Sequence, residues 1–472
     1  MITTMTDPHP SPHVELSRSL ILVMVTIGTF LNPFTGSSIN LALPIIGEEF
    51  GVNAVTLSWV PTAYLLSTAI FLLPAGMLGD IAGRGRVFGW GTLLYTVASA
   101  ITIVAPSAPA LLAFRFLQGI GSAMLFGNAV AIIAELYPPG ERGRAFGINV
   151  TSVYAGLMLG PFIGGLLTQF FGWRSIFFVT VMLGGTVLLN VSRFPPVLNE
   201  PRRDVFDWQG ASLSALVLIL FSAGISRVPE PASVALIGAS AIAMVIFLAV
   251  EERRPHPLFP IVLLRENRVF SRSNLAAFIN YSATFAVTFL MSLYLQVVRG
   301  MSPAAAGSIL LIQPFFQMIC SPVAGRLSDR TDPSLLATSG MVLTSSGLLA
   351  LSFVGEMTST GFIILILAGI GTGLGLFSAP NMTVIMGSVE RYHYTLASSM
   401  VATMRNSGMM VSMAVVMVAF SLLIGDSPLT PGNSGAFLAS MQLVFLVFFM
   451  ITLIGAFISR DRQTTSARVK RS

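Results

Sequence analysis

Two arginines stand inside long apolar runs: Arg115 in "RFLQGIGSA" and Arg405 in "ATMRNSG". A guanidinium in the middle of such a run costs at least ~2.5–3.5 kcal/mol to place in a bilayer, so it is rarely kept without a task. It could hold an anion or help move a proton, or it could bond backbone carbonyls as a structural residue. The residues alone leave both readings open. A second charged feature is "GMLGDIAGRGRVFGWG", Gly76 to Gly91, where Asp80, Arg84 and Arg86 separate two hydrophobic stretches. Gly76, Gly79 and Gly83 permit a tight turn and close backbone approach. Asp80 can receive a neighbouring arginine or face the positive end of a helix elsewhere in the chain. A contact of that kind, made in one conformation and broken in another, would serve as a gate. The plainer alternative is a capped turn whose arginines anchor one side of a membrane.

Other chemistry is poorly supplied. None of the 20 Asp and Glu residues falls in the middle of an apolar run. The four histidines (His9, His13, His256 and His393) lie in the tail or in loops, and Cys320 is the single cysteine. No metal site, disulfide framework or Ser/His/Asp constellation follows from these, so no metal, no cofactor and no enzymatic activity is expected.

These residues are carried by an unusual chain. Of 472 residues, 54% are hydrophobic and 10% charged, with a mean hydropathy of +0.81. Soluble domains are about a quarter charged, so this is a membrane protein. Residues 1–16 contain no Lys or Arg, so the run after Arg18 reads as a first span and not as a cleaved leader. A helical span needs about 20 apolar residues. Runs of that length cover residues 19–42, 55–79, 86–106, 109–134, 144–170, 174–193, 209–227, 232–250, 270–297, 304–326, 334–354, 360–387, 396–423 and 436–458, fourteen in all. Lipid cannot satisfy free backbone groups, and runs this long are not barrel strands, so all are expected to be helices.

With the amino terminus in the cytoplasm, 21 of the 26 basic residues fall on the cytoplasmic side. Arg174, Arg227 and Arg299 fall outside, and Arg115 and Arg405 within spans. This bias supports both the count and the orientation, with both termini cytoplasmic in a multi-pass protein of the cell membrane. The net charge of +6 is therefore a sidedness and not a nucleic-acid patch. The basic end "SARVKRS" is most simply a headgroup anchor.

An internal repeat divides the chain. "GMLGD" (76–80) recurs as "GRLSD" (325–329), and "GIGSAMLFGNA" (119–129) as "GIGTGLGLFSAPN" (369–381), offsets of 249–250 residues. The expected order is a tail (1–18), a six-helix half (19–195), a linker with two extra spans (196–268), a second six-helix half (269–458) and a basic tail (459–472). Two halves related by an axis along the membrane normal are a transporter architecture, with the substrate site between them at midplane.

Several stretches together resemble the major facilitator superfamily. "GxLGDxxGRGR" is similar to its signature loop, "RFLQGIGSA" to its fourth-span motif, and "GLMLGPFIGG" (156–165) to its fifth-span antiporter motif. "INLALPIIGEEF" (39–50) and "WVPTAYLL" (59–66) resemble the ends of its spans 1 and 2, and "FDWQG" (206–210) the entry to the first extra span of its fourteen-span drug:proton antiporters. The resemblance covers residues 20–460 and implies gating or coupling roles for Gly76, Gly79, Asp80, Gly83, Arg84, Arg86, Arg115, Gly156, Gly160, Pro161, Gly164 and the repeat partner Asp329. For Arg115 it implies proton coupling, and for the kinked fifth span a seal on the pathway. The four-residue glycine spacing by itself needs only close helix packing, and Pro161 a kink.

The spans that face the centre in this superfamily supply the candidate substrate-binding residues. They are Asn32, Asn40, Tyr64, Asn149, Tyr154, Asn280, Tyr281, Gln313, Gln317, Asn381, Arg405 and Asn406; each alone is more often a helix–helix hydrogen bond. One departure stands out. The group usually carries a first-span aspartate, and "LNPFTGSS" here places Asn32 there. Asparagine does not titrate. The leading expectation is a secondary transporter exporting amphiphilic, drug-like small molecules, with protons as coupling ion. An uncoupled facilitator or organic-anion exporter is the alternative that Asn32 keeps open, and a non-transporting sensor or scaffold the least favoured reading. The partners expected are the substrate and the lipid bilayer; no nucleic acid and no partner protein is implied.

Overall fold

A computed structural model of the chain describes residues 12–138, 141–200, 206–254, 259, 261–390, 394–425 and 427–460. Most of the expected amino-terminal tail and nearly all of the basic tail, "SARVKRS" included, lie outside the described residues. In chain order the helices are α1 (Pro12–Phe50), α2 (Ala54–Ala82), α3 (Arg84–Ile103), α4 (Ala108–Leu136), α5 (Arg142–Phe171), α6 (Arg174–Val191), α7 (Trp208–Ile225), α8 (Pro231–Glu251), α9 (Ile261–Glu266), α10 (Arg268–Leu293), α11 (Pro303–Leu310), α12 (Ile312–Ser328), α13 (Pro333–Leu351), α14 (Thr360–Gly387), α15 (Tyr394–Leu423) and α16 (Ser434–Arg460).

Among the described residues, thirteen helices or helix pairs are long and apolar enough to cross a membrane. The fourteenth expected span, 86–106, is α3, which is less apolar because of Arg84, Arg86 and a series of hydroxyls. Thr92, Ser99 and Thr102 each turn that hydroxyl back onto the carbonyl four residues earlier, at 2.6–2.9 Å, so the polarity is spent inside the helix. At one end α3 abuts Leu198 and Asn199; at the other the Ile103 carbonyl accepts from Arg174. Its 20 residues are about 30 Å of helix, the thickness of a hydrocarbon core. The tenth span is broken at Leu311 into α11 and α12, because Pro314 has no N–H for the Leu310 carbonyl and its ring crowds that turn.

Helices α1–α6 form one bundle and α10–α16 another, and their packing repeats pair by pair. Helix α1 lies on α5 and α2 on α4; correspondingly α10 lies on α15 and α12 on α14. The α3–α4 and α3–α6 contacts recur as α13–α14 and α13–α16. Across the bundles, α5 meets α11 and α2 meets α15, which are again symmetry counterparts. The fold is two six-helix halves plus an added hairpin, α7–α8, seated on α2 beside α15. Asp207 caps α7 by accepting from the Gly210 N–H at 2.9 Å. An even number of traverses puts the start of α1 and the end of α16 on one face, here the terminal face; the other is the distal face.

Matching the repeat by identity aligns Gly119 with Gly369, but the packing aligns it with Gly371. Gly119 sits against Tyr64 and Ser67 of α2, and Gly371 against Gln313 of α12. Likewise Gly121 faces Tyr95 of α3, and Gly373 faces Gly340 and Thr344 of α13. The true offset in this span is two residues longer, and Gly369 itself meets nothing within 4 Å. Gly371→Ala is therefore expected to destabilise the protein by about 1–3 kcal/mol through overpacking. Gly369→Ala is expected to be neutral or stabilising by up to about 1 kcal/mol, the helix-propensity gain. Thermal unfolding in detergent checks both, and equal effects would contradict the shifted pairing.

Candidate functional site

Arg115 lies seven residues into α4 from its distal end and is completely buried. Its Nε donates to the Val60 carbonyl at 3.3 Å, Nη1 donates to Gln118 Oε1, and the guanidinium stacks on the Tyr64 ring, 4.4 Å from its centroid. Nη2 has no partner. Gln118 passes the chain on to Ser99 Oγ at 2.8 Å. The Tyr64 hydroxyl and Asn32 Nδ2 both reach Ser122 Oγ at 2.7 Å, and the buried Tyr95 hydroxyl donates to the Leu31 carbonyl at 3.2 Å. Asn32, Tyr64 and Arg115 are thus brought into one polar chain through α1–α4. Gln118, Ser122 and Ser99 complete it and were not among the sequence candidates. Their signal was available: 115, 118 and 122 fall on one helical face. Among the described residues Arg115 meets no carboxylate.

At the terminal face Arg84 holds Asp80 through Nη2 and Nε, at 2.9 and 3.1 Å, and reaches Glu135 Oε2 at 3.6 Å. Of the two partners open to Asp80, it is the neighbouring arginine of its own half that holds it here, not a helix end of the opposite half. Arg86 and Asp329 are exposed, and Asp329 does not reproduce the Asp80 ion pair. The glycines fit tightly. A Cβ at Gly79 would overlap Asn128 Oδ1, and Gly83 has φ +97° with Asn199 backbone against it; Gly76 is looser, 3.7 Å from the Gly127 carbonyl.

The fifth-span glycines make the close helix packing that their spacing calls for. Gly156, Gly160 and Gly164 pack on α1, at Phe30, Ser37 and Ser38, within the first half. The seal across the halves is one step round the helix. A Cβ at Gly165 would overlap the Pro303 carbonyl oxygen, and one at Gly307 the Pro161 carbonyl oxygen. Ser292 Oγ donates to the Asn40 carbonyl at 2.7 Å, and the Ala304 N–H donates to Gln169 Oε1 at 3.2 Å. All of these contacts lie toward the distal face. Following the same face of α5 toward the terminal face, Tyr154 is half-buried, Val150 is 50% exposed and Gly147 meets nothing within 4 Å. The halves separate from distal to terminal face, leaving a cleft that opens on the terminal side.

In that cleft Arg405 of α15 faces the Phe126 ring of α4, 6.0 Å from its centroid. Tyr154 of α5 stands among Tyr281, Ser321, Ser378 and Arg405 of the second half. Ser321, Ser378 and Phe126 were not anticipated. Three of the remaining candidates bond elsewhere. Asn149 Nδ2 donates to Thr29 Oγ1 at 2.7 Å, Asn381 Nδ2 to the Ser273 carbonyl at 3.3 Å, and Asn406 Nδ2 to the Ala402 carbonyl at 2.9 Å. Gln313 and Gln317 lie largely buried with their backbone against Gly371 and Gly375. Asn280 is wholly buried with neither amide atom bonded. On the distal surface Glu49 receives Arg174 at 2.7 and 3.0 Å and Trp173 Nε1 at 2.7 Å, a clamp that had no motif to announce it.

A family model described as the Major Facilitator Superfamily matches residues 25–413 and again 275–470. A riboflavin transporter of Clostridioides difficile is 28% identical over 443 residues, spanning 92% of this chain and 95% of that protein. The multidrug resistance protein Stp of Mycobacterium tuberculosis is 29% identical, over 85% of this chain and 75% of its own. The multidrug efflux pump LfrA of Mycolicibacterium smegmatis is 28% identical, over 92% and 88%. Among solved structures, a peptide transporter crystallised with alafosfalin aligns with a TM-score of 0.69 at 16% identity, covering 93% of this chain and 95% of that one.

Gln118→Leu removes an acceptor from a buried guanidinium and is expected to lower stability by about 1–3 kcal/mol. Thermal unfolding checks it; an unchanged midpoint would show that Arg115 does not depend on Gln118.

Proposed function

The chain belongs to the major facilitator superfamily, and from that membership we propose that it exports amphiphilic, drug-like small molecules across the cell membrane. It is a secondary transporter, not an enzyme. The terminal face is the cytoplasmic one, since the Lys and Arg bias of the loops calls for it. Substrate enters the cleft from that side, between Tyr154 and Tyr281, and the halves rock to release it distally. The observation that carries this reading is the cleft itself, sealed by backbone contacts at one end and open at the other. Relatives named for multidrug efflux support the direction and the substrate class.

Protons couple to this movement through the titratable groups at the terminal face, Asp80 and Glu135, with the Arg115 chain relaying the change between α1 and α4. Asp80 changes partner when the cytoplasmic side closes, leaving Arg84 for a helix end of the second half. Gly76, Gly79 and Gly83 let that loop move as a unit; Arg86 and Asp329 act as exposed partners in the closed state. A second reading, uncoupled or anion-exporting, is favoured by one observation: Asn32, where the group usually has an acid, bonds Ser122 within reach of a charge that no carboxylate balances.

Proteoliposomes holding a trapped pH dye test the two. Proton movement opposite to substrate flux is the expected result; flux without proton movement selects the second reading. Asp80→Asn and Arg115→Ala are each expected to cut transport at least tenfold at unchanged protein level, and near wild-type flux would remove that residue from the mechanism. Asn32→Asp is expected to steepen the dependence of transport on pH, because a titratable group then joins the Arg115 chain. A flat profile in that variant would place coupling away from position 32.

A further inference from the structure

Arg405 differs from the other arginines that structure employs. Arg84 is held by two carboxylates, Arg115 by a carbonyl and a glutamine at two of its three nitrogens, Arg174 by Glu49 and a carbonyl, and Arg299 by the carbonyls of Glu356 and Thr358. Arg405 makes no hydrogen bond and no ion pair with any described residue, although it sits eleven residues into α15, roughly 16 Å along the helix. It faces the Phe126 ring across the cleft, at 6.0 Å, the outer limit of a cation–π interaction, with Tyr154 nearby. The polar groups gathered there, Tyr154, Tyr281, Ser321 and Ser378, carry hydroxyls that can donate to an anion and add no negative charge.

A charge count points the same way. The spans contain Arg115 and Arg405 and no mid-span acid, and neither meets a carboxylate among the described residues. While the cleft is open, water solvates Arg405. When the halves close, that water leaves, and a neutral occupant would strand a bare guanidinium in a low-dielectric site. A cationic occupant would be repelled, while an anionic oxygen restores both the charge balance and the lost hydrogen bonds.

We propose that Arg405, with the Tyr154 and Tyr281 hydroxyls, forms an anion-recognition site in the cleft, and that the transported amphiphile carries a carboxylate or comparable anionic oxygen on an apolar body. This rests on the reading that substrate occupies the cleft, and it names the class of substrate that the cleft selects.

The test uses the full-length reconstituted protein and a series of flat aromatic carboxylates, anthraquinone-2-carboxylate and 2-naphthoate among them, each paired with its carboxamide. The wild type is expected to bind each acid at least tenfold more tightly than its amide. Arg405→Gln is expected to lose that preference while amide binding stays within twofold, and Arg405→Lys to keep part of it. Acids that bind no better than amides, or do not bind at all, overturn the proposal, as does an equal loss of acid and amide in Arg405→Gln. Because Cys320 is the single cysteine, Cys320→Ser with Arg405→Cys leaves one thiol at the site. A membrane-impermeant thiol reagent added from the terminal side is expected to modify it. No modification would overturn the cleft reading as well, whereas modification without acid preference would overturn only the choice of anion.

Discussion

A buried positive charge with no carboxylate to meet it constrains the first half more than any other feature. Desolvating a guanidinium in a bilayer is affordable only if its donors find oxygens and its face finds an aromatic ring. Arg115 meets most of that demand with the Val60 carbonyl, Gln118 and Tyr64, Nη2 alone finding no partner among the described residues, and each of those groups is then fixed in turn. Gln118 must meet Ser99, Tyr64 must meet Ser122, and Ser122 brings Asn32 in from α1. Four helices are held in register by a chain whose cause is one charge. The close α2–α4 and α3–α4 contacts that permit it come from glycines at 119 and 121, where any side chain would push the partner helix away.

Much of this was legible beforehand, and the boundary of legibility has a physical reason. Long apolar runs bounded by charge announce spans reliably because lipid leaves the backbone one solution. Even α3, with its hydroxyls, was found by length and by the position of its flanking arginines. Arg115 and Arg405 announced themselves by cost. What could not be read was direction around the helix at the scale of one residue. Gly156, Gly160 and Gly164 spell a packing stripe, but nothing in their spacing says that α1 covers it, or that the neighbouring Gly165 is the one that meets the other half. The shift of two in the repeat has the same origin: glycine identities align in sequence, while packing selects whichever glycine faces the partner backbone.

The partners of charged groups were the other illegible part. Asp80 could meet a neighbouring arginine or a helix end of the second half, and only the assembled structure shows that Arg84, four residues on, holds it. Clusters of neutral polar residues from different helices, such as Tyr154, Tyr281, Ser321 and Ser378, carry no motif at all, because each is ordinary in its own span. They acquire meaning only when the two halves place them around Arg405.

The two ends of the cleft are built from different materials. At the distal end the halves meet through glycines and carbonyl oxygens of α5 and α11, contacts between uncharged atoms that dissolved ions do not weaken. At the terminal end the first half holds itself with Asp80, Arg84 and Glu135 near the aqueous boundary, charges whose longer-range attraction fades beyond about 8 Å at physiological ionic strength. The distal latch is therefore indifferent to the salt of the surrounding solution, while the ion pairs at the terminal end brace the first half and do not tie the two halves together.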